Sequence, residues 1–401
     1  MKNEQRRESG QALVAAVFGL VVLLGAAGLA VDLGYLRYQK RLQQSAADSA
    51  ALAGAAELRS GNNAFITTAA TNDTKLNGFT NGFTGPDGIY HVLVTVNPAF
   101  PFGAQTGVQV QVQVTQPTFF MRIFGVNSTT VTASAVAIAT SARNCAYALD
   151  TIGNAITNDK NLTAPGCGIV DNASLDNDGA ITASSVAVHG TAFGAPTIPG
   201  AIMGIVEAAD PLFALNAPAT GGGCKNGTIN GKVGPGGATP NFQLFAGHYC
   251  TGITISDRAN VSFGPGTYAI TGTGINFKGV GTVSGTGVTF YVSGGPVLIN
   301  SLPGSAEQLT LRAPTNGALT GILFYQNAGN GLTATIDGQA ASTLQGALYF
   351  PGAALNLSNI NAAAYTITVA KTLAFSGNVT LGSDYSSLTG GSPIKSAVLV
   401  E

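Results

Sequence analysis

The distribution of apolar positions divides the chain into regions of different period. From Gln11 to Val31 no residue is charged, and the run QALVAAVFGLVVLLGAAGLAV matches the roughly 20 residues an α-helix needs to cross a bilayer core. The pattern predicts a transmembrane helix over residues 11–31, after a tail (1–10) that carries Lys2, Arg6 and Arg7. A cleaved secretory signal is the rival reading. The length of the run and the continuing helical pattern weigh against it. Over residues 32–60 strong helix formers follow, with no proline before Pro86, so the helix is expected to run on to about Arg59. At 1.5 Å per residue its length would be roughly 70 Å.

Small residues recur four apart within the span, in Ala12/Ala16, Ala15/Gly19 and Ala26/Ala30. Such pairs let helix backbones approach closely in lipid. Beyond the span, Ala46, Ala50 and Gly54 make a second small stripe, a face able to pack on another helix or on the next domain.

Residues 61–140 change texture. FITTAATNDTKLNG fits a short helix, whereas IYHVLVTV, VQVQVQVT and TTVTASAVAIA read as strands. The run Val108 to Val114 puts every Val on one face and every Gln on the other, as in a sheet covered on one side. Between the last two strands PTFFMRIFG reads as a helix with Phe119, Phe120, Ile123 and Phe124 on one apolar face. The order α-β-β-α-β predicts a small α/β domain joined to the long helix.

From residue 141 to 401, short apolar runs alternate with Gly, Thr, Asn and Ser, and a helical period recurs only near Ala201 to Ala209. A repeat emerges: Gly287 to Tyr291, Gly321 to Tyr325 and Gly346 to Phe350 share Gly-x-x-aromatic-aromatic, with Gly266-Thr267-Tyr268 a weaker copy. The glycines are 21, 34 and 25 residues apart. Each copy precedes a turn and a second short strand (PVLIN, LTATID, ALNLSN), so one period reads as one coil of stacked strands. The fold class expected is mainly β with an amino-terminal transmembrane helix, a small α/β domain and a parallel β-solenoid. A β-sandwich is the alternative.

Composition narrows the function. Charged residues make up 9% of the chain, against roughly 25% in soluble proteins, with a net charge of −1 and no basic block past the amino terminus. The electrostatic footprint of a nucleic-acid binder is therefore missing. Cys145, Cys167, Cys224 and Cys250 form no CxxC pair, and an even number suits disulfides in an oxidising compartment. Pairing of sequence neighbours, Cys145 with Cys167 and Cys224 with Cys250, is the simplest of three connectivities, and four buried thiols is the alternative.

Basic residues flank the span equally, Lys2, Arg6 and Arg7 before it and Arg37, Lys40 and Arg41 after it. The cysteines decide for an exported carboxy-terminal bulk. The only dense acidic group, Asp171, Asp176 and Asp178, could offer oxygens to a cation but lacks the spacing of a calcium loop, so a polar turn is the expected reading. No HExxH, GxSxG or GxxxxGK[ST] element occurs. The sequence thus predicts no catalytic residue, no cofactor and no small-molecule substrate.

The strongest family signal lies at the amino terminus. Arg6, Arg7 and Gly10 precede the span; Ala30-Val31-Asp32-Leu33-Gly34 forms an AVDxG element; and the run Leu42 to Ala55, LQQSAADSAALAGA, follows. In these residues the chain resembles the TadG-like proteins of Flp pilus assembly in the tight-adherence system. The resemblance covers residues 6–58 and implies a single-pass protein of the bacterial inner membrane, with its bulk periplasmic, whose partners are other pilus-assembly proteins or pilins. Gly10-Gln11 also resembles the cleavage point of type IV prepilins, but Ala15 stands where such subunits carry Glu. The function expected is a membrane-anchored assembly component acting by protein contacts. An adhesin or carbohydrate-binding protein on the same anchor is the alternative, and a solenoid polysaccharide lyase or hydrolase a more distant one.

Overall fold

A computed structural model describes residues 5–59, 63–103, 105–141, 144–231, 239–278, 281–300, 308–338 and 342–400. The protein is mainly β, with one long apolar helix at its amino terminus and a parallel sheet of many strands. Two compact units result, one of residues 1–140 with 396–401, the other of residues 141–395.

The first unit is built on α1 (Gln5–Arg59), continuous from the apolar run into the Ala-rich segment. No proline or glycine pair interrupts it, so nothing in the backbone ends the helix where the apolar run stops. Along residues 12–24 its side chains are exposed, and from Gln43 one face becomes buried. After α2 (Ile66–Leu76) come β1 (His91–Phe102), β2 (Gln105–Pro117) and β3 (Ser128–Ser141), paired antiparallel in chain order. The Val/Gln alternation sets the register. Val108, Val110, Val112 and Val114 are all fully buried with Ala46, Ala47, Ala50, Ala51 and Ala55 of α1 in one core. The strand Lys395–Leu399 completes the sheet beside β3, a pairing the local pattern did not predict.

In the second unit each strand pairs in parallel, mostly with the third strand further along. One column runs from 247–249 through 266–270, 288–292 and 322–326 to 343–358 and 366–375. A second runs from 253–256 through 275–278, 297–300 and 334–337, and a third from 241–244 through 260–263, 282–286 and 308–312. This parallel pairing is unlike the antiparallel sheets of a β-sandwich. Strand 366–375 then pairs with 144–148 and 154–158, the first strands of the unit, and these pair onward to 161–171, 174–177 and 180–188.

The aromatic repeat feeds this packing. Tyr249, Tyr268, Phe290, Phe324 and Phe350 are fully buried, with ring centroids 5.1 to 6.3 Å apart along the row. Each contact adds about 0.5–1.5 kcal/mol beyond area burial. Pairing departs from the glycine alignment by one residue in places: Gly266 pairs with Val288, and a bulge puts Phe324 opposite Leu348. Gly274, at φ +78°, sits where a Cβ would collide with the Pro296 carbonyl, so only glycine fits this turn.

The stretch Ala201–Ala209, expected to carry a helical period, is not helical. It holds a two-residue strand at Ile202–Met203 and then chain without regular structure, with Pro199 and Pro211 on either side and Gly204 at φ +76°.

Candidate functional site

The AVDxG element owes its form to a contact distant in sequence. Asp32, one residue past the apolar run, is buried and accepts backbone N–H groups from Phe119 at 2.9 Å, Phe120 at 2.9 Å and Met121 at 2.6 Å. These donors open a single 3₁₀ turn, Met121–Phe124, that ends at Gly125 with φ +83°. PTFFMRIFG is thus one short turn rather than a packed helix, because Gly125 stops it after four residues. Burial raises the Asp32 carboxyl, but the N–H donors of Met121, Phe119 and Phe120, with Arg122 beside them, outweigh it and hold the group below the ordinary carboxylate range.

Neighbouring residues lock the same junction. The Tyr35 ring meets that of Phe119 edge-on at 5.2 Å, and the Tyr35 hydroxyl donates to Gln116 Oε1 at 3.2 Å. Gln116 Nε2 donates in turn to Gln39 Oε1 at 3.3 Å. Phe120 fills the space beside Gly28, where a Cβ would stand 2.8 Å from its ring.

The small residues of α1 fall into two classes. Ala12, Ala15, Ala16, Gly19, Ala26 and Ala30 are exposed along the apolar segment. Ala46 and Ala50 are buried within the first unit, and a Cβ on Gly54 would lie 2.8 Å from Val108 Cγ1. This second stripe is therefore taken up by the protein's own sheet. Gln43 shares the buried face, and neither of its side-chain polar atoms has a hydrogen-bond partner among the described residues.

In the second unit the acidic trio is spread over separate structural roles. Asp171 is fully buried and accepts N–H from Ile156 at 3.1 Å and Ala173 at 2.8 Å, and burial still pushes its carboxyl up to about 6. Asp176 accepts from Asn154 at 3.1 Å, and Asp178 is exposed in the following turn. Among the described residues no group of three His, Cys, Asp or Glu side chains is placed to hold a metal. Disulfides join Cys145 to Cys167 and Cys224 to Cys250.

Residues 205–216 form a strap the sequence did not reveal. It runs across successive strands: Ala208 exchanges two hydrogen bonds with Asn172, Asp210 accepts from the Tyr349 hydroxyl at 2.7 Å, and the Leu215 carbonyl accepts from Tyr325 at 3.0 Å. Tyr291 and Tyr325, each the second aromatic of its repeat, and Tyr349, the first of its own, stand in a row with ring centroids 5.1 and 5.2 Å apart, and the strap bonds to the last two. Elsewhere on this unit a polar hollow of about 390 Å³ is lined by Lys160, Asp337, Ser358, Asn359, Ser376 and Asn378.

Residues 10–57 match the Tad family, Flp pilus-assembly TadE/G-like, and residues 39–137 match Tad_C, Tad-like Flp pilus-assembly. Both lie within the first unit, the part that holds Asp32 and its turn. No curated protein and no solved structure matches the chain.

Proposed function

We propose that this chain, whose residues 10–137 match a TadG-like Flp pilus-assembly protein, is a membrane-anchored assembly component that acts through protein contacts. The observation that carries the reading is α1 itself. One uninterrupted helix joins an exposed apolar run to a packed domain, so force or position at the membrane is transmitted rigidly to the sheet. The exposed pairs Ala12/Ala16, Ala15/Gly19 and Ala26/Ala30 are the faces on which partner helices would dock in lipid. Two disulfides favour an oxidising compartment for the second unit, hence an inner-membrane anchor with a periplasmic bulk. Its parallel columns favour a β-solenoid, a stack that offers a long polar surface to partners. The role is structural rather than enzymatic.

Deletion of the gene in its host should abolish Flp pili, and the full chain should restore them. Alkaline carbonate should leave the chain in the membrane pellet, and alkaline phosphatase fused to its carboxy terminus should be active. Normal pili in the deletion strain would overturn the assembly role, and release by carbonate would overturn the anchor. The polar hollow at Lys160 and Asp337 favours glycan binding as a second reading. Specific glycan retention by the purified chain, with pili unaffected by its loss, would establish it instead.

A further inference from the structure

The turn between β2 and β3 exposes an unusual set of side chains. Phe119, Phe120, Ile123, Phe124 and Val126 are 50%, 43%, 77%, 70% and 38% exposed, although they belong to a short segment of a domain with a well-filled core. Left in water, such a patch forgoes about 25 cal/mol for each Å² it could bury. The turn is also fixed in place. Asp32 takes three of its backbone N–H groups, Thr118 Oγ1 closes it on the Val126 carbonyl, and Phe120 rests on Gly28.

Gly28 lies three residues before Val31, about 4.5 Å of helix rise inside the end of the apolar run. Any bilayer that accommodates residues 11–31 therefore meets this turn at the boundary between acyl chains and headgroups, where aromatic side chains are favoured. Arg122 in the turn, with Arg37, Lys40 and Arg41 on the next turns of α1, is exposed and suited to lipid phosphates.

We infer that the Thr118–Asn127 turn is a second membrane contact, an aromatic foot inserted into the headgroup boundary of the leaflet where the span emerges. The inference rests on the membrane-anchored reading. Together the helix and the foot make two points of attachment, which restricts rotation and tilt of the first unit on the bilayer. An exposed helical span alone would leave that tilt free.

The chain contains no tryptophan, so one introduced indole reports a single position. Full-length F124W, L20W and F65W proteins would be reconstituted into vesicles of phosphatidylcholine and phosphatidylglycerol, with or without lipids brominated near the headgroup or near the bilayer centre. Emission of the F124W protein should shift to the blue and lose on the order of half its intensity to the shallow quencher. The L20W protein should respond to the deep quencher, and the F65W protein, altered at an exposed site of the first unit beside the Gly54 end of α1, to neither. Quenching of L20W without quenching of F124W would overturn the foot and leave the anchor. Absence of quenching in L20W would overturn the anchor, and the foot with it.

Discussion

Asp32 accepts the backbone N–H of Phe120 at 2.9 Å across 88 positions of sequence, so a residue of α1 sets the conformation of a turn between two strands. Asn offers one acceptor oxygen where the carboxylate uses two, and its amide group would face an N–H donor. Asp32→Asn should therefore loosen the turn while leaving α1 intact. Amide exchange at Phe119, Phe120 and Met121 should accelerate roughly tenfold or more, and exchange at the buried Val positions of β2 should not change. Because the folded-state carboxyl lies below its ordinary value, the contribution of Asp32 holds above about pH 4 and is lost as pH falls through the folded pKa. Unaltered exchange in the variant would show that Asp32 does not hold the turn.

Gly54 faces Val108 so closely that an added Cβ lies 2.8 Å from Cγ1, and a branched valine cannot swing its end away. Ala at this position gains helix propensity of about 1 kcal/mol but introduces the clash. Leu adds still more volume to a filled site. Gly54→Leu should destabilise the first unit by about 1–3 kcal/mol, read from denaturant unfolding in detergent. The same change at exposed Gly19 should leave the midpoint where it is.

Gln43 works in the opposite direction. It is buried with both polar ends unpartnered among the described residues, an arrangement that costs about 1–3 kcal/mol. Met has a similar shape and no such requirement. Gln43→Met should raise stability by about 1 kcal/mol or more in the same assay. A loss of stability would mean that Gln43 has a polar partner in the folded protein.

Much of this architecture is legible because its period is local. The uncharged run forecasts the apolar part of α1, and the Val/Gln alternation forecasts which face of β2 is buried. The Gly-x-x-aromatic-aromatic repeat locates strands that do pair in parallel, Phe290 with Phe324 and Tyr291 with Tyr325. What escapes is non-local. Nothing near Thr368 announces that it pairs with Ala146, and nothing near Lys395 announces a return to the small sheet. Asp32 is visible as a motif residue, but its role depends on three amides some 90 residues away, a distance no spacing rule covers. The strap is hidden for a different reason. An irregular segment with a turn at 211–214, bonded through Asn172, Tyr325 and Tyr349, has no period of its own.

Asp171 gives the second unit a pH dependence of its own. Its carboxyl sits at about 6 in the folded chain, above the ordinary 3.8, because burial outweighs the N–H groups of Ala173 and Ile156. Between these values the folded state binds more protons than the unfolded one, so stability falls as pH rises from about 4 to about 6 and is flat above. The difference between wild-type and Asp171→Asn stability should change by up to about 3 kcal/mol over that window. Thermal melts at closely spaced pH values would measure it. A difference independent of pH would place the Asp171 carboxyl at its ordinary value.

The strap offers a test of which part of the second unit opens first. The buried Tyr349 hydroxyl donates to Asp210, and its ionisation is pushed upward by burial and then by that carboxylate. Tyr349→Phe removes this donor and should cost about 1.5–3 kcal/mol, as for a hydrogen bond to a charged group. Beyond Leu215 the chain is tied down by the Cys224–Cys250 disulfide, which closes a loop of 26 residues. Replacing both cysteines by Ser should cost roughly 3 kcal/mol through the unfolded state. The strap belongs to no strand and is joined to its neighbours by a few side-chain bonds, so it should open before the columns do. Limited proteolysis should then cut the Tyr349→Phe and Cys224→Ser/Cys250→Ser proteins within residues 205–224 at a temperature where the wild type resists. Cleavage first within the columns, at 266–292 for example, would show that the strap is not the weakest element.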